Sequence, residues 1–404
     1  MKQKNKQPKL RFPQFDGDWE EKRLGEIGSF FSGGTPSSYK KDYYNGSIPF
    51  IKSGEIGNSS TTQTITELGL ENSSAKIVEK GDLLYAMYGA TAGQVAISKV
   101  NGAINQAVLC IKISENKYFL YLHLEKNKYR ILGTYLQGGQ GNLSSQIIKS
   151  FKFHFPSLAE QEKIADFFST LDAYLEQKKQ RLEFLQEYKR GMMQQLFSGQ
   201  KRFQPDAGGE FPAWKKVRLG ETFKRVRDKN KNSRCQNVLT ISAQMGLISQ
   251  LEYFNKSVAG KDLSGYYLLK NGDFAYNKSY SKGYPMGAIK CLDKYSEGIV
   301  STLYICFRLK QAQDASLKFF AHFFESGKMN KSLHQIAQEG ARNHGLLNMS
   351  IDDFFNIKIP LPSIAEQKKI AEFLEALDDR IKLVEQSVAQ LESWKKGLLQ
   401  ELLV

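Results

Sequence analysis

The sequence predicts an α+β chain in which two mixed α/β domains are separated by a pair of long helices. The helices are expected to form an intramolecular antiparallel coiled coil, and the whole chain an internal pseudo-twofold repeat. Three observations lead there. "PSLAEQEKIADFFSTLD" at 156–172 returns as "PSIAEQKKIAEFLEALD" at 362–378, 206 positions on. Downstream of both copies, apolar residues recur at alternating steps of four and three, which is a coiled-coil seam. Ahead of each copy the pattern changes to short alternating runs separated by Gly and Asn, as strands and turns require.

Taken in order, residues 1–155 form the first domain. It opens on "WEEKRLGE" at 19–26, continues through strand-like "SIPFIKSGEI", "GDLLYAMYG", "QVAISKV" and "AVLCIKI", and includes helical "KYFLYLHLEKNKYRIL". Residues 156–199 form the first helical spacer. Ser157 and Glu160 stand in S-x-x-E spacing, which predicts a capping box: the Ser oxygen accepts the N3 amide and the Glu returns to the cap amide. The seam then runs Ile164, Phe168, Leu171, Leu175, Lys178, Leu182, Leu185, Lys189, Met192. Residues 200–210 are read as a linker within the Gly-, Pro- and charge-rich "FSGQKRFQPDAGGEFPAW".

Residues 211–361 form the second domain, opening on "WKKVRLGE" and continuing through "NVLTISAQMG", "GDFAYNKSY", "GAIKCL" and "STLYICFRL", with helical "ASLKFFAHFFESGKMNKSLHQIA". Residues 362–404 repeat the helix, with Ser363 and Glu366 as the cap and Ile370, Leu374, Leu377, Ile381, Val384, Val388, Leu391 and Leu398 as the seam. Only Lys178, Lys189 and Lys395 interrupt the two seams. Two seams in one chain can bury each other, and the long domain between them favours antiparallel pairing; a homodimeric coiled coil is the alternative. At ~1.5 Å per residue, about 40 residues span roughly 60 Å, so the helices would act as a spacer.

At 404 residues the chain is long enough for two or three cores, and 41% hydrophobic with 25% charged residues suits a globular protein. No run of 18 apolar residues appears, and the basic start "MKQKNKQPKLRFPQF" lacks the apolar stretch of a secretory signal; a cytoplasmic protein without a membrane partner is expected. The net charge of +15 points to a polyanion, because neutralising phosphates releases counterions. Cys110, Cys235, Cys291 and Cys306 stand singly, and Cys110 and Cys306 read as small buried apolar residues.

Catalytic patterns are missing. The sequence contains no GxxxxGK[ST], HExxH, GxSxG or Asn/Asp-Pro-Pro-aromatic motif, and no GxGxxG after a strand. Glu20-Glu21-Lys22 spells only a fragment of a nuclease motif, and the five His residues form no pair at ligand spacing. No catalytic residue and no metal site is assigned, and the chain reads as a binder rather than an enzyme.

The Trp-x-x-x-x-Leu-Gly-Glu openings, "FFSGGTPSSYKKDYYNGSIPFIKSGEI", "GDLLYAMYGATAGQVAI", "INQAV" and the duplicated "AEQxKIA" helix together resemble the specificity subunit of type I restriction-modification systems. The resemblance covers nearly the whole chain. It implies that each domain is a target-recognition domain reading one half of a bipartite, asymmetric site in double-stranded DNA. It also implies that the helices set the spacing and dock two modification (methyltransferase) subunits, which restriction (endonuclease/translocase) subunits join. Such a chain would carry no cofactor; S-adenosylmethionine, ATP and Mg²⁺ belong to the partners, which perform adenine methylation and ATP-dependent restriction. The seam residues Ile164, Phe168, Leu171, Leu175, Leu182, Ile370, Leu374, Leu377, Ile381, Val384 and Val388 are then the scaffold and subunit interface.

For DNA contact, Gln137, Gln140 and Asn142 in "YLQGGQGNLSS" can bond bidentately to an adenine edge, and Arg342, beside Asn343 and His344, can read guanine. The same loops also suit an ordinary flexible connection. Lys52, Ser53 and Tyr88 follow in the first domain, and Tyr276, Asn277, Lys278, Ser279 and Tyr280 in the second, with phosphate contact expected ahead of base readout. Three other readings remain at this point: a self-sufficient nuclease or methyltransferase, a protein-assembly scaffold without nucleic acid, and an RNA-modification adaptor.

Overall fold

The structure, a computed structural model, describes residues 7–135, 142–242, 245–256, 260, 262–281, 283–311, 315–337 and 347–404. It falls into two compact units, residues 1–180 with 386–404 and residues 181–385.

In the first unit the strands are β1 (Glu20–Arg23), β2 (Gly28–Ser32), β3 (Leu83–Ala86), β4 (Val95–Ile97), β5 (Val108–Ile113) and β6 (Lys152–Phe155). β1 and β6 form an antiparallel ribbon with Glu20 opposite Phe155, so the opening signature lies beside the strand that leads into the long helix. The remaining four make an antiparallel sheet in the order β2-β5-β3-β4. Tyr44–Ile51 carries a second sheet with Thr64–Ile65, Lys76–Val78 and Gly102–Ile104. Helix α1 (Lys117–Tyr135) packs Phe119, Leu120, Leu122 and Leu124 into the core with Trp19, Tyr85, Phe153 and Phe155.

The second unit repeats this scheme with β7 (Lys215–Arg218), β8 (Phe223–Arg225), β9 (Phe274–Asn277), β10 (Ala288–Cys291), β11 (Ile305–Leu309) and β12 (Lys358–Leu361). β7 and β12 make the ribbon, and the sheet runs β8-β11-β9-β10. The second sheet of the first unit is replaced by two separate ribbons, 239–242 with 246–249 and 267–270 with 297–300. The divergence expected from the sequence therefore falls on these added strands, while the four-stranded sheet is kept. The predicted helical stretch from 315 to 337 is broken: α1's counterpart in this region is short, because the chain turns at Gly327 with φ +72° between Leu317–Glu325 and Asn330–Ile336.

The long helices are Leu158–Ser198, here α2, and Ile364–Leu402, here α4; Leu317–Glu325 between them is α3, which occupies in the second unit the place α1 has in the first. In the first unit the beginning of α2 lies along the end of α4, with Asp172 bonded to Lys395 at 2.6 Å and Lys179 to Glu392 at 2.7 Å. In the second unit the end of α2 lies along the beginning of α4, with Gln186 bonded to Glu385 at 3.3 Å and Lys189 to Asp378. Partner numbers fall as residue numbers rise, so the pairing is antiparallel in both.

Of the seam, Ile164, Phe168, Leu171, Leu175, Ile370, Leu374, Leu377, Ile381 and Val388 are buried, and Leu182 and Val384 are half-buried. The first turns of each helix do more than pair: Ile164, Phe168 and Leu171 belong to the first unit's core, and Ile370, Leu374 and Leu377 to the second's. Each such buried Leu, Ile or Phe contributes about 1.5–3 kcal/mol.

Two expectations about the helices change. The Ser oxygens of Ser157 and Ser363 do accept the amides of Glu160 and Glu366, at 3.4 Å each. The glutamates, however, are gripped by arginines rather than returning to the cap. Arg11 donates to Glu160 through Nε at 2.8 Å and Nη2 at 2.7 Å, and Arg202 donates to Glu366 at 2.9 and 2.8 Å. Glu160 is 1% and Glu366 0% exposed, and a carboxylate that deep needs charge-assisted partners, which a single backbone amide cannot supply. The stretch read as a linker at 200–210 thus carries Arg202, a fastening of the second helix.

The neighbouring glutamines complete the joint. Gln161 donates to Pro156 O at 2.9 Å and accepts the Asn116 amide just ahead of α1 at 3.0 Å. Gln367 donates to Pro362 O and accepts the Ser316 amide ahead of α3, both at 2.9 Å. The duplicated "AEQ" is therefore a joint between helix, arm and domain.

Candidate nucleic-acid interface

In the first unit, backbone bonds draw four loops to one rim. The Met87 amide bonds Ala107 O at 2.8 Å, the Leu143 amide bonds Met87 O at 2.9 Å and the Asn105 amide reaches Ile51 O at 3.4 Å. Lys52 and Ser53, Tyr88, Gln106 and Asn142 directly adjoin these anchors, so four separated segments, three of them carrying candidates from the sequence, share one edge. Lys52 and Ser53 are half-buried and begin a short turn closed by the Glu55 amide on Lys52 O at 2.8 Å. Burial pushes the Glu55 carboxyl up, but amides of Thr62 and Lys52 bond to it and hold it below the usual carboxylate range. Tyr88 donates its hydroxyl to Gln106 O, and burial raises the phenol's pKa. Asn142 is exposed, while Gln137 and Gln140 lie outside the described residues.

Two residues here were not singled out from the sequence. Gln106 and Thr35 are exposed and bonded to each other, Thr35 Oγ1 to Gln106 Oε1 at 2.6 Å. The signal available was "INQAV", a polar pair interrupting an apolar run, and "GGTPSS". The glycine of that second motif is sterically required, since a Cβ on Gly33 would stand 1.7 Å from Ile104 O.

The second unit repeats one anchor. The Leu347 amide bonds Lys278 O at 3.0 Å, as Leu143 bonds Met87, so the loop after β9 meets Leu347. Arg342, Asn343 and His344 lie outside the described residues. Asn277, Lys278 and Ser279 are half-buried, with Asn277 Oδ1 accepting the Ser279 amide at 3.1 Å, and Tyr280 is 66% exposed.

Tyr276 does not belong with them. It is 0% exposed, donates to Met286 O at 2.7 Å and stacks on Phe354 with centroids 5.4 Å apart. The strand period explains this: Tyr276 and Phe274 point to the core, and no face of Tyr276 is open to a base. Of the scaffold residues, all but the half-buried Leu182 and Val384 are likewise buried within the units.

Chemically, both rims present amides, hydroxyls and a lysine, and the second adds the exposed Tyr280 ring, a set suited to phosphates and base edges. The carboxylates of the nuclease-like fragment are engaged in ion pairs, Glu21 with Lys152 at 2.7 Å, while Lys22 reaches Glu115 at 2.8 Å. Among the described residues no group of three His, Cys, Asp or Glu is placed to hold a metal, and no helix is long and apolar enough to cross a membrane.

Two like-built recognition units, each joined to a long helix by the same motif, define a paired-domain specificity protein. The family model "Type I restriction modification DNA specificity domain" matches residues 16–186 and again 213–393, and the chain belongs to that family. It is 25% identical to the type I restriction enzyme MjaVIII specificity subunit of Methanocaldococcus jannaschii, over 98% of this chain and 93% of that one. It is 29% identical to the EcoR124I/EcoR124II specificity subunit of Escherichia coli over 39% of this chain and 42% of that one. Its fold is similar to the crystal structure of the type I restriction-modification S subunit from M. genitalium, with a TM-score of 0.61 at 16% identity, covering 99% of both chains.

Proposed function

We propose that this chain is the sequence-reading, non-catalytic subunit of a type I restriction-modification complex, each domain reading one half of a bipartite, asymmetric site in double-stranded DNA. The observation that carries the reading is the combination of a duplicated helix and joint with two domains whose added strands differ. Equal joints suit two copies of one modification subunit; unequal domains suit unequal half-sites. Helices of 41 and 39 residues, at ~1.5 Å per residue, are long enough to act as a ruler of about 60 Å between the half-sites.

Lys52, Ser53, Tyr88, Gln106 and Asn142 in the first domain, and Asn277, Lys278, Ser279 and Tyr280 in the second, are the residues assigned to DNA. Gln137, Gln140, Arg342, Asn343 and His344 keep that assignment from the sequence alone. S-adenosylmethionine, ATP and Mg²⁺ are assigned to the modification and restriction subunits, and the complex to the cytoplasm.

The test is co-expression with the neighbouring modification subunit in a methylation-free host, with adenine methylation mapped by single-molecule sequencing. A gapped two-part motif that requires both chains is expected. A soluble, DNA-binding complex that methylates no such motif would overturn the reading in favour of an assembly or RNA role.

A further inference from the structure

Two of the three lysines that interrupt the apolar seams have a shared role. Lys395 of α4 is bonded to Asp172 of α2 at 2.6 Å, and its ammonium stands 5.9 Å from the ring centre of Tyr121 on α1. The other oxygen of Asp172 accepts the hydroxyl of Tyr118, also on α1, at 2.5 Å. In the second unit Lys189 of α2 is bonded to Asp378 of α4, whose other oxygen lies 3.9 Å from Nδ1 of His322 on α3. Both the aspartates and the lysines correspond at the 206-residue offset of the repeat. The lysine side chains are only 14% and 16% exposed, so these are seam positions given to charge.

Replacing a whole pair by neutral residues, leucine for the lysine and asparagine for the aspartate, would extend the apolar seam without stranding a charge and, by the usual balance of desolvation against attraction, would leave stability about where it is. What an ion pair adds in such a place is discrimination: it is satisfied in one register and leaves an unpaired, half-buried charge in every other. Each of these pairs also touches the domain through Tyr118 or His322. In the first unit one carboxylate therefore ties together the domain's own helix, the long helix that leaves that domain and the end of the other long helix; in the second, Asp378 joins the two long helices and stands against the neutral His322 ring at 3.9 Å without a hydrogen bond.

We propose that Tyr118–Asp172–Lys395 and His322–Asp378–Lys189 are positioning residues: two junctions that hold each recognition domain in one orientation on the helix pair and so fix the gap between the half-sites. This rests on the reading under Proposed function for its DNA consequence, but the junctions themselves are testable without it. The variant Lys189→Leu with Asp378→Asn and Lys395→Leu with Asp172→Asn, in the full chain bound to its modification subunit, keeps its fold and stays close to the parent's Tm. The same variant methylates motifs of more than one gap length where the parent methylates one.

In parallel, Gln186→Cys with Glu385→Cys, positions within hydrogen-bond reach across the helices, reports register by a short bismaleimide. Its crosslink yield falls by about five-fold or more in the neutralised background, the ratio that a preference of about 1 kcal/mol sets. The exchanged pairs Asp172→Lys with Lys395→Asp and Lys189→Asp with Asp378→Lys restore both a single gap and the crosslink. A merely stabilising role would lower Tm without moving gap or crosslink. Unchanged crosslinking and gap in the neutralised variant, or a folded charge exchange that fails to restore them, overturns the proposal. Should the parent complex yield no two-part motif, the reading of function fails and the crosslink alone decides the junctions.

Discussion

Replacing Arg202 by alanine removes all the side-chain bonds that its guanidinium makes: two to Glu366, at 2.9 and 2.8 Å, and two to the carbonyls of Phe211 and Pro212, at 3.1 and 2.8 Å. Among the described residues Glu366, 0% exposed in the intact chain, then keeps the Trp214 indole N–H, at 2.9 Å, as its side-chain donor. Leaving one partner of a buried pair uncompensated costs about 3–5 kcal/mol. The unit concerned spans residues 181–385, and for a body of that size each kcal/mol moves Tm by roughly 2–4 °C, so a fall of about 6–20 °C is expected.

Differential scanning calorimetry gives the shift, and hydrogen exchange followed by mass spectrometry shows where it lies: protection should drop in residues 181–385 and hold in the other unit. The paired change Arg202→Met with Glu366→Leu removes both charges, and should recover most of the loss. A fall under about 2 °C for Arg202→Ala, or equal loss of protection in both units, would refute the argument that the duplicated glutamate is held by its arm rather than by its cap. Arg11→Ala should mirror the result in the first unit, since it makes the same pair of bonds to Glu160.

Acid should act on the first unit through His123. His123 is buried among Trp19, Phe119, Phe153 and Phe155; burial, helped by nearby Lys126 and His154, pushes its pKa down to about 3 from 6.5. The folded chain holds it neutral while the unfolded chain protonates it, so its contribution to stability is intact above pH 6.5 and is lost as the pH falls from 6.5 towards 3. His123→Phe should flatten that part of the stability-against-pH curve, and an unchanged slope would show that other groups carry it. In the second recognition domain, Tyr276→Phe should cost about 1 kcal/mol for its buried hydrogen bond and leave DNA affinity untouched. Lys278→Ala should instead leave stability within about 0.5 kcal/mol and reduce the slope of log K against log salt by about 1, read by fluorescence anisotropy of the assembled complex.

Much of this architecture was legible in the linear chain because its causes are local or periodic. The S-x-x-E starts, the steps of four and three from Ile164 and from Ile370, and the short apolar runs at Leu83–Ala86 and Phe274–Asn277 each specify an element from its own stretch of chain. The repeat then announced two units built alike. Side-chain fates that depend on distant partners were not legible. Glu160 has the spacing of a capping residue, yet its charge is met by Arg11, 149 positions away. Lys189 and Lys395 read as flaws in a seam until Asp378 and Asp172 stand opposite them. Tyr276 sits among polar neighbours that suggest a surface, and only the sheet, by pairing β9 with β10 and β11, turns its ring inward onto Phe354. Periodicity says which face of an element is apolar; which charge meets which, and which tyrosine remains open to solvent, follows from packing between segments that local sequence does not bring together.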